Sequence, residues 1–171
     1  SGEFAVATRA GVKQVRVARG GLIATNLGTV GLGKEPVTIT HEGRTFTGRP
    51  ADVGNPHAVV FTDRDVLGQL DLSRAPVWEP TDVFPAGVNV EFVHEVMPGE
   101  LLMRVYERGC GETLSCGTGV VASAAAYRDR SGFDGPIQVR VRGGDLVVTF
   151  EGDEVWLTGP AVIVARGEYW S

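Results

Sequence analysis

Cys116 stands in Ser115-Cys116-Gly117-Thr118-Gly119, where a glycine-punctuated loop feeds the one convincing helix of the chain. That helix is read over residues 120 to about 128. It is alanine-rich, carries no charge before its last turn, and stops near Ser131-Gly132 with Arg128 and Arg130 at the negative end of its dipole. The first N–H groups of a helix lack partners within it and carry a partial positive charge. A cysteine there is expected to have its thiolate stabilised and its pKa lowered. A carboxylate or phosphate can dock on the same N–H groups, and Gly117 and Gly119 leave the backbone open to close approach. One short stretch can thus supply an acid/base thiol and an anion cradle. A lone cysteine before such a helix is also often a small buried residue, and local chemistry leaves both readings open.

Other polar groups fall on loops or strand ends, where binding residues tend to sit. They are Asn55 with His57, Asn89, Glu107 with Arg108, and Thr118 beside the cysteine. Each has a plainer reading. Asn55-Pro56 starts turns, His57 could be a hydrogen-bonded core histidine, Asn89 could satisfy backbone groups, and Glu107-Arg108 could be a surface pair. His41 and His94 read as surface residues, and the tryptophans as packing.

The elements that must carry these groups are mostly strands. Residues 4–8 and 12–17 alternate apolar and polar, and Gly20-Gly21 reads as a hairpin turn. Residues 22–32 hold one or two strands, and Glu42-Gly43 joins 37–40 to 44–47. An apolar run over 58–61 follows His57, and Asp63 can cap a short helix to about 70. Residues 73–86 read as irregular. Strands over 88–94 and 101–107 flank the turn Met97-Pro98-Gly99. After the helix come 137–141, 145–150 and 154–157 as a meander, then a last strand over 161–167. The expected fold is α+β: a β-rich, barrel-like domain wrapped around one buried central helix.

The whole chain narrows the function further. Its 171 residues suit one domain. A net charge of −5, with basic residues scattered, argues against a nucleic-acid surface. No apolar run approaches the roughly 20 residues that span a bilayer, and Ser1-Gly2-Glu3-Phe4 has no signal-peptide character. Two cysteines, Cys110 and Cys116, make neither a disulfide framework nor a zinc site, so no metal is expected and a reducing cytoplasm is the expected compartment. The 24 glycines, about twice the usual share, fit tight turns between short strands.

Five stretches then carry a resemblance. They are Gly54-Asn55-Pro56-His57, Phe84-Pro85-Ala86-Gly87-Val88-Asn89-Val90-Glu91, Glu107-Arg108-Gly109 with Gly111-Glu112-Thr113, Ser115-Cys116-Gly117-Thr118-Gly119, and Leu157-Thr158-Gly159-Pro160-Ala161. In this order and spacing the chain resembles the diaminopimelate epimerase family in its actinobacterial form. The resemblance covers nearly all of the chain but only the second half of that enzyme. It implies a cofactor-independent isomerase that interconverts LL- and meso-diaminopimelate for lysine and peptidoglycan precursors. Two cysteines, one from each domain, face opposite sides of the α-carbon, and Cys116 matches the second. By the same resemblance Glu107 and His57 are catalytic. Asn55, Asn89, Glu107, Arg108, Gly117 and Thr118 match substrate-binding positions.

Two departures bear on this reading. The family's other cysteine, in a Met-Cys-Gly-Asn-Gly stretch, is absent, so the chain alone is expected not to epimerise. Cys110 is not required by the family pattern. Six residues can span up to about 20 Å, yet Cys110 lies in the same loop as Cys116 and is not expected to replace the missing base. The expected partners are the small-molecule substrate, the missing N-terminal domain and a second copy in a homodimer, with no nucleic acid and no membrane. Residues 1–11 are expected to cross between domains, and 165–171 to return toward the absent one. A different racemase or isomerase of the same fold, or a binding module that has lost its chemistry, are the alternatives.

Overall fold

The computed structural model describes residues 2–8, 11–17 and 19–168. Its centre is helix α2, Gly117–Ser131. Alanine is the best helix former, and here its small side chains also let strands approach closely. Residues 119–127 are all buried. The helix ends on Gly132, whose left-handed φ of 71° lets its N–H donate to the Arg128 carbonyl at 2.9 Å. The helix begins three residues earlier than its apolar run suggests, which makes Cys116 the N-cap residue.

One sheet of fourteen strands wraps this helix. They are β1 (Glu3–Thr8), β2 (Gly11–Val17), β3 (Ile23–Gly28), β4 (Gly31–Leu32), β5 (Val37–His41), β6 (Arg44–Asp52), β7 (Pro56–Phe61), β8 (Val77–Glu79), β9 (Asn89–Met97), β10 (Glu100–Glu107), β11 (Gly111–Glu112), β12 (Ile137–Val141), β13 (Gly144–Glu151) and β14 (Glu154–Gly159). The path runs β1-β2-β3-β14-β13-β12-β10-β9-β7-β6-β5-β8, with β4 on β6 and β11 on β10. Most pairs are antiparallel hairpin neighbours, but β7 pairs with β9, and β10 with β12, in parallel. A short helix α1 (Arg64–Gln69) follows β7, with Asp63 as its N-cap residue. The fold is therefore the α+β, barrel-like wrap around a central helix.

Strands β7 and β9 are covered on both faces. Val59 and Val93 face the core around α2, while Ala58, Val60, Val90 and Phe92 face a second core with α1. This explains why residues 58–61 read as a continuous apolar run rather than an alternating one. It also fixes the polar residues. His57, Asn89 and Glu91 share the α2 side, because side chains on a strand alternate between faces.

Several details differ from the sequence reading. Residues 73–86 include β8, which pairs with β5 and closes that side of the sheet. Residues 160–168 form no strand, and Val162, Ile163 and Val164 are 73–92 % exposed. No strand of the sheet pairs with this segment. His41 is buried rather than on the surface, since its Nε2 bonds the Asp71 carbonyl at 2.9 Å beneath Phe92. Of the segment expected to cross between domains, residues 3–8 are strand β1, paired with β2 in an exposed edge hairpin. Residues 169–171, the end of the segment expected to return, lie outside the described residues.

The close wrap makes a prediction. Ala124 is fully buried against the strands. Ala124→Leu adds volume where none is free and should destabilise the fold by about 1–3 kcal/mol. Urea unfolding followed by circular dichroism measures this.

Candidate active site

The site is built where the first turn of α2 meets the starts of β7 and β9. Cys116 has extended backbone and its side chain makes no cap bond. Its sulfur instead lies 3.5 Å from Thr118 Oγ1. Thr118 Oγ1 accepts from Asn55 Nδ2 at 3.3 Å, which leaves its own hydrogen for the sulfur. Asn55 Oδ1 lies 3.0 Å from His57 Nε2, and His57 Nδ1 lies 2.7 Å from Glu91 Oε1. Five side chains from three elements and one loop thus form a single hydrogen-bonded line. His57 and Glu91 are fully buried, and Cys116 is 8 % exposed.

Asn89 and Arg108 lie alongside. The Asn89 amide donates to the Pro56 carbonyl at 3.1 Å and accepts the Arg108 backbone N–H at 2.9 Å, so it fastens the β7 start to the β10 end. Arg108 Nη1 donates to the Ala86 and Gly87 carbonyls at 3.0 and 3.4 Å. Gly87 has φ 86°, and a Cβ there would come within 2.8 Å of Arg108 Cδ, so this turn needs glycine on both counts. Glu107 accepts from the Thr113 hydroxyl. It is not paired with Arg108, and its charge reaches both Cys116 and Glu91. Gly117 and Thr118 are the first residues of α2, so their N–H groups have no acceptor within the helix.

The residues singled out from sequence therefore converge, and His57 is both a buried, hydrogen-bonded histidine and a member of the cluster. Cys110 stands apart as an exposed thiol. Glu91 is the member that sequence reasoning missed. Its signal was period-two spacing from Asn89, which puts it on the same face of β9. Among the described residues, no three His, Cys, Asp or Glu are grouped to hold a metal ion.

The expected low pKa of Cys116 is corrected. Burial pushes the thiol up, and the charges of Glu91 and Glu107 add to that. The Thr118 hydroxyl and the Gly119 N–H pull the other way and do not overcome it. The helix terminus is present, but desolvation of the thiolate outweighs it. Beside Thr118 opens an apolar hollow of about 570 Å³, lined by Val6, Val15, Ile23, Leu27 and Val53 among others.

The chain is similar to known proteins. Residues 50–168 match the profile of the family described as "Diaminopimelate epimerase". The chain is 45 % identical over 177 aligned positions to the diaminopimelate epimerase of Streptomyces coelicolor, covering 98 % of this chain and 61 % of that protein. It is 46 % identical to that of Rhodococcus erythropolis, covering 96 % and 59 %. The chain thus spans about three fifths of the length of these curated relatives. Among solved structures, a predicted epimerase from Pseudomonas aeruginosa superposes with TM-score 0.67 at 18 % identity, covering 99 % of this chain and 67 % of that one. A hydroxyproline epimerase from Agrobacterium vitis, bound to trans-4-hydroxy-L-proline, gives 0.66 at 19 %, covering 92 % and 57 %. At such identities these two speak for the fold alone.

A raised thiol pKa has a checkable sign. The fold favours the protonated form, so the alkylation of Cys116 should rise only at a pH above the ordinary thiol range. Near neutral pH iodoacetamide should modify exposed Cys110 first. Peptide mass spectrometry over a pH series reads both rates.

Proposed function

The chain belongs to the diaminopimelate epimerase family, and from that membership we propose that it forms the second domain of an epimerase acting on diaminopimelate. The hydrogen-bonded line from Cys116 through Thr118 and Asn55 to His57, at the head of a buried helix, carries this reading. The first domain lies in the two fifths of the relatives that this chain does not span, and it supplies the other cysteine.

The chemistry follows from the residues. An α-carbon proton is very weakly acidic, so its removal needs the developing carbanion to be stabilised. The free N–H groups of Gly117 and Thr118 hold the substrate α-carboxylate and draw charge toward it. Cys116 rests as a thiol and delivers its proton to one face of the α-carbon, while the thiolate of the other domain takes the proton from the opposite face. In the reverse direction the roles exchange. Glu107 and His57 frame this transfer, and burial of the site keeps water from quenching the carbanion. Asn55, Asn89, Glu107 and Arg108 read the far ammonium and carboxylate of a substrate with two amino-acid ends. Such polar readout rejects analogues that lack those groups.

The first domain also covers the apolar hollow beside Thr118 and the exposed residues 162–164. Without it this chain should self-associate, and a monomer by light scattering at high concentration would count against that arrangement. The working enzyme is a homodimer of two-domain chains in the cytoplasm.

The central test uses the chain joined to a first domain. In heavy water the enzyme should exchange the substrate α-hydrogen for deuterium. Cys116→Ala should slow this by about 10²–10⁴-fold, the usual worth of a positioned acid or base. Unchanged exchange in that variant removes the role of Cys116. Turnover of proline or a hydroxy acid in place of diaminopimelate would move the substrate assignment to another racemase.

A further inference from the structure

Glu91 is a carboxyl with no exposed surface, and none of the chemistry above uses it. Burying such a group is costly unless it is paired, and its partner is specific. Glu91 Oε1 meets His57 Nδ1 at 2.7 Å, and both side chains are 0 % exposed. The parallel register sets His57 opposite Asn89 and Val59 opposite Glu91, so the two groups meet diagonally across one strand pair. On its other side Glu91 presses on the first turn of α2. A Cβ at residue 119 would stand 2.5 Å from Glu91 Oε1 and 3.1 Å from its Cδ. The second glycine of the Cys-Gly-Thr-Gly stretch is therefore the space this carboxyl occupies. Glu91 Oε2 is buried with no hydrogen-bond partner, so the pairing with His57 is what holds the group in place.

We propose that Glu91 is a positioning residue: its carboxyl clamps the His57 ring through Nδ1, aims Nε2 at Asn55, and so fixes the Asn55 amide that steadies Thr118 beside Cys116. Asn55 Oδ1 can only accept, so Nε2 carries a hydrogen and donates to it, while a second hydrogen lies between Nδ1 and Glu91 Oε1 as an imidazolium–carboxylate pair. The Asn55 amide then has one orientation, with Nδ2 directed to Thr118 Oγ1 at 3.3 Å. Removing the clamp frees the ring to turn and the amide to flip. Glu91 touches neither substrate nor the reacting atoms in this scheme. Its importance for turnover rests on the functional reading above, whereas the clamp does not.

Nuclear magnetic resonance of the unaltered 171-residue chain reads the clamp without turnover. His57 should show a strongly downfield Nδ1 proton, as a charge-assisted bond gives. The only other histidines, His41 and His94, bond to carbonyls of Asp71 and Thr62 and serve as internal references. Glu91→Gln should move the His57 proton upfield and leave the other two unchanged. Gly119→Ala, which puts a methyl where Oε1 sits, should do the same. In the two-domain enzyme each change should lower kcat/KM roughly 10- to 100-fold, the scale of a small misplacement of a binding group, chiefly through KM because Asn55 is displaced. A wild-type ring without a hydrogen-bonded Nδ1 proton overturns the proposal, and so does a His57 signal unmoved by both variants. If Glu91→Gln does not fold, the wild-type signal and Gly119→Ala still decide. An intact clamp in an enzyme that does not act on diaminopimelate would sink the functional reading and leave the clamp standing.

Discussion

A helix apolar on every face, with no charged residue before its last turn, is one that the rest of the fold must bury. Residues 119–127 are buried on every side by strands from both halves of the sheet. Burial of this one element fixes where its N-terminus emerges, and the site is that emergence. Cys116 owes its place to the cap, Thr118 to the first turn, and His57, Asn89 and Glu91 to the strands packed against it. A change that loosens the helix would move the thiol relative to everything that surrounds it.

The same burial decides the electrostatics. A helix terminus alone would favour a thiolate. Here the sulfur is nearly covered, and two carboxylates rather than cations lie within reach. Desolvation wins, and the group is held in its protonated form. Glu91 is pushed up by burial too, with the His57 bond opposing it.

Much of this was legible in the residues. The turn at Glu42-Gly43, the hairpin around Pro98-Gly99 and the final meander follow from local turn chemistry and alternation, and all occur as read. The cluster of Asn55, His57, Asn89, Glu107, Arg108 and Cys116 was legible as spaced motifs. What escaped depends on long-range pairing. Strand β8 exists because β5 offers it an edge, and residues 160–168 pair with no strand. His41 lies inside because a loop thirty residues later supplies its carbonyl. Glu91 looked like one more strand glutamate, since the histidine that holds it lies 34 positions earlier. The Cys116 pKa was misjudged because a helix start can be read locally, whereas the depth of a sulfur cannot.

The pairing of β3 with β14 joins residues about 130 positions apart, as Asn26 with Trp156 does. Contacts of that span form only after most of the chain is available, and each demands loop closure before it returns any stability. Topologies rich in such non-local pairings fold more slowly than those built from local contacts. Before the strands gather, the alanine-rich segment has no shelter, and the thiol at its head stands open to oxidants, whereas the folded chain leaves it only 8 % exposed.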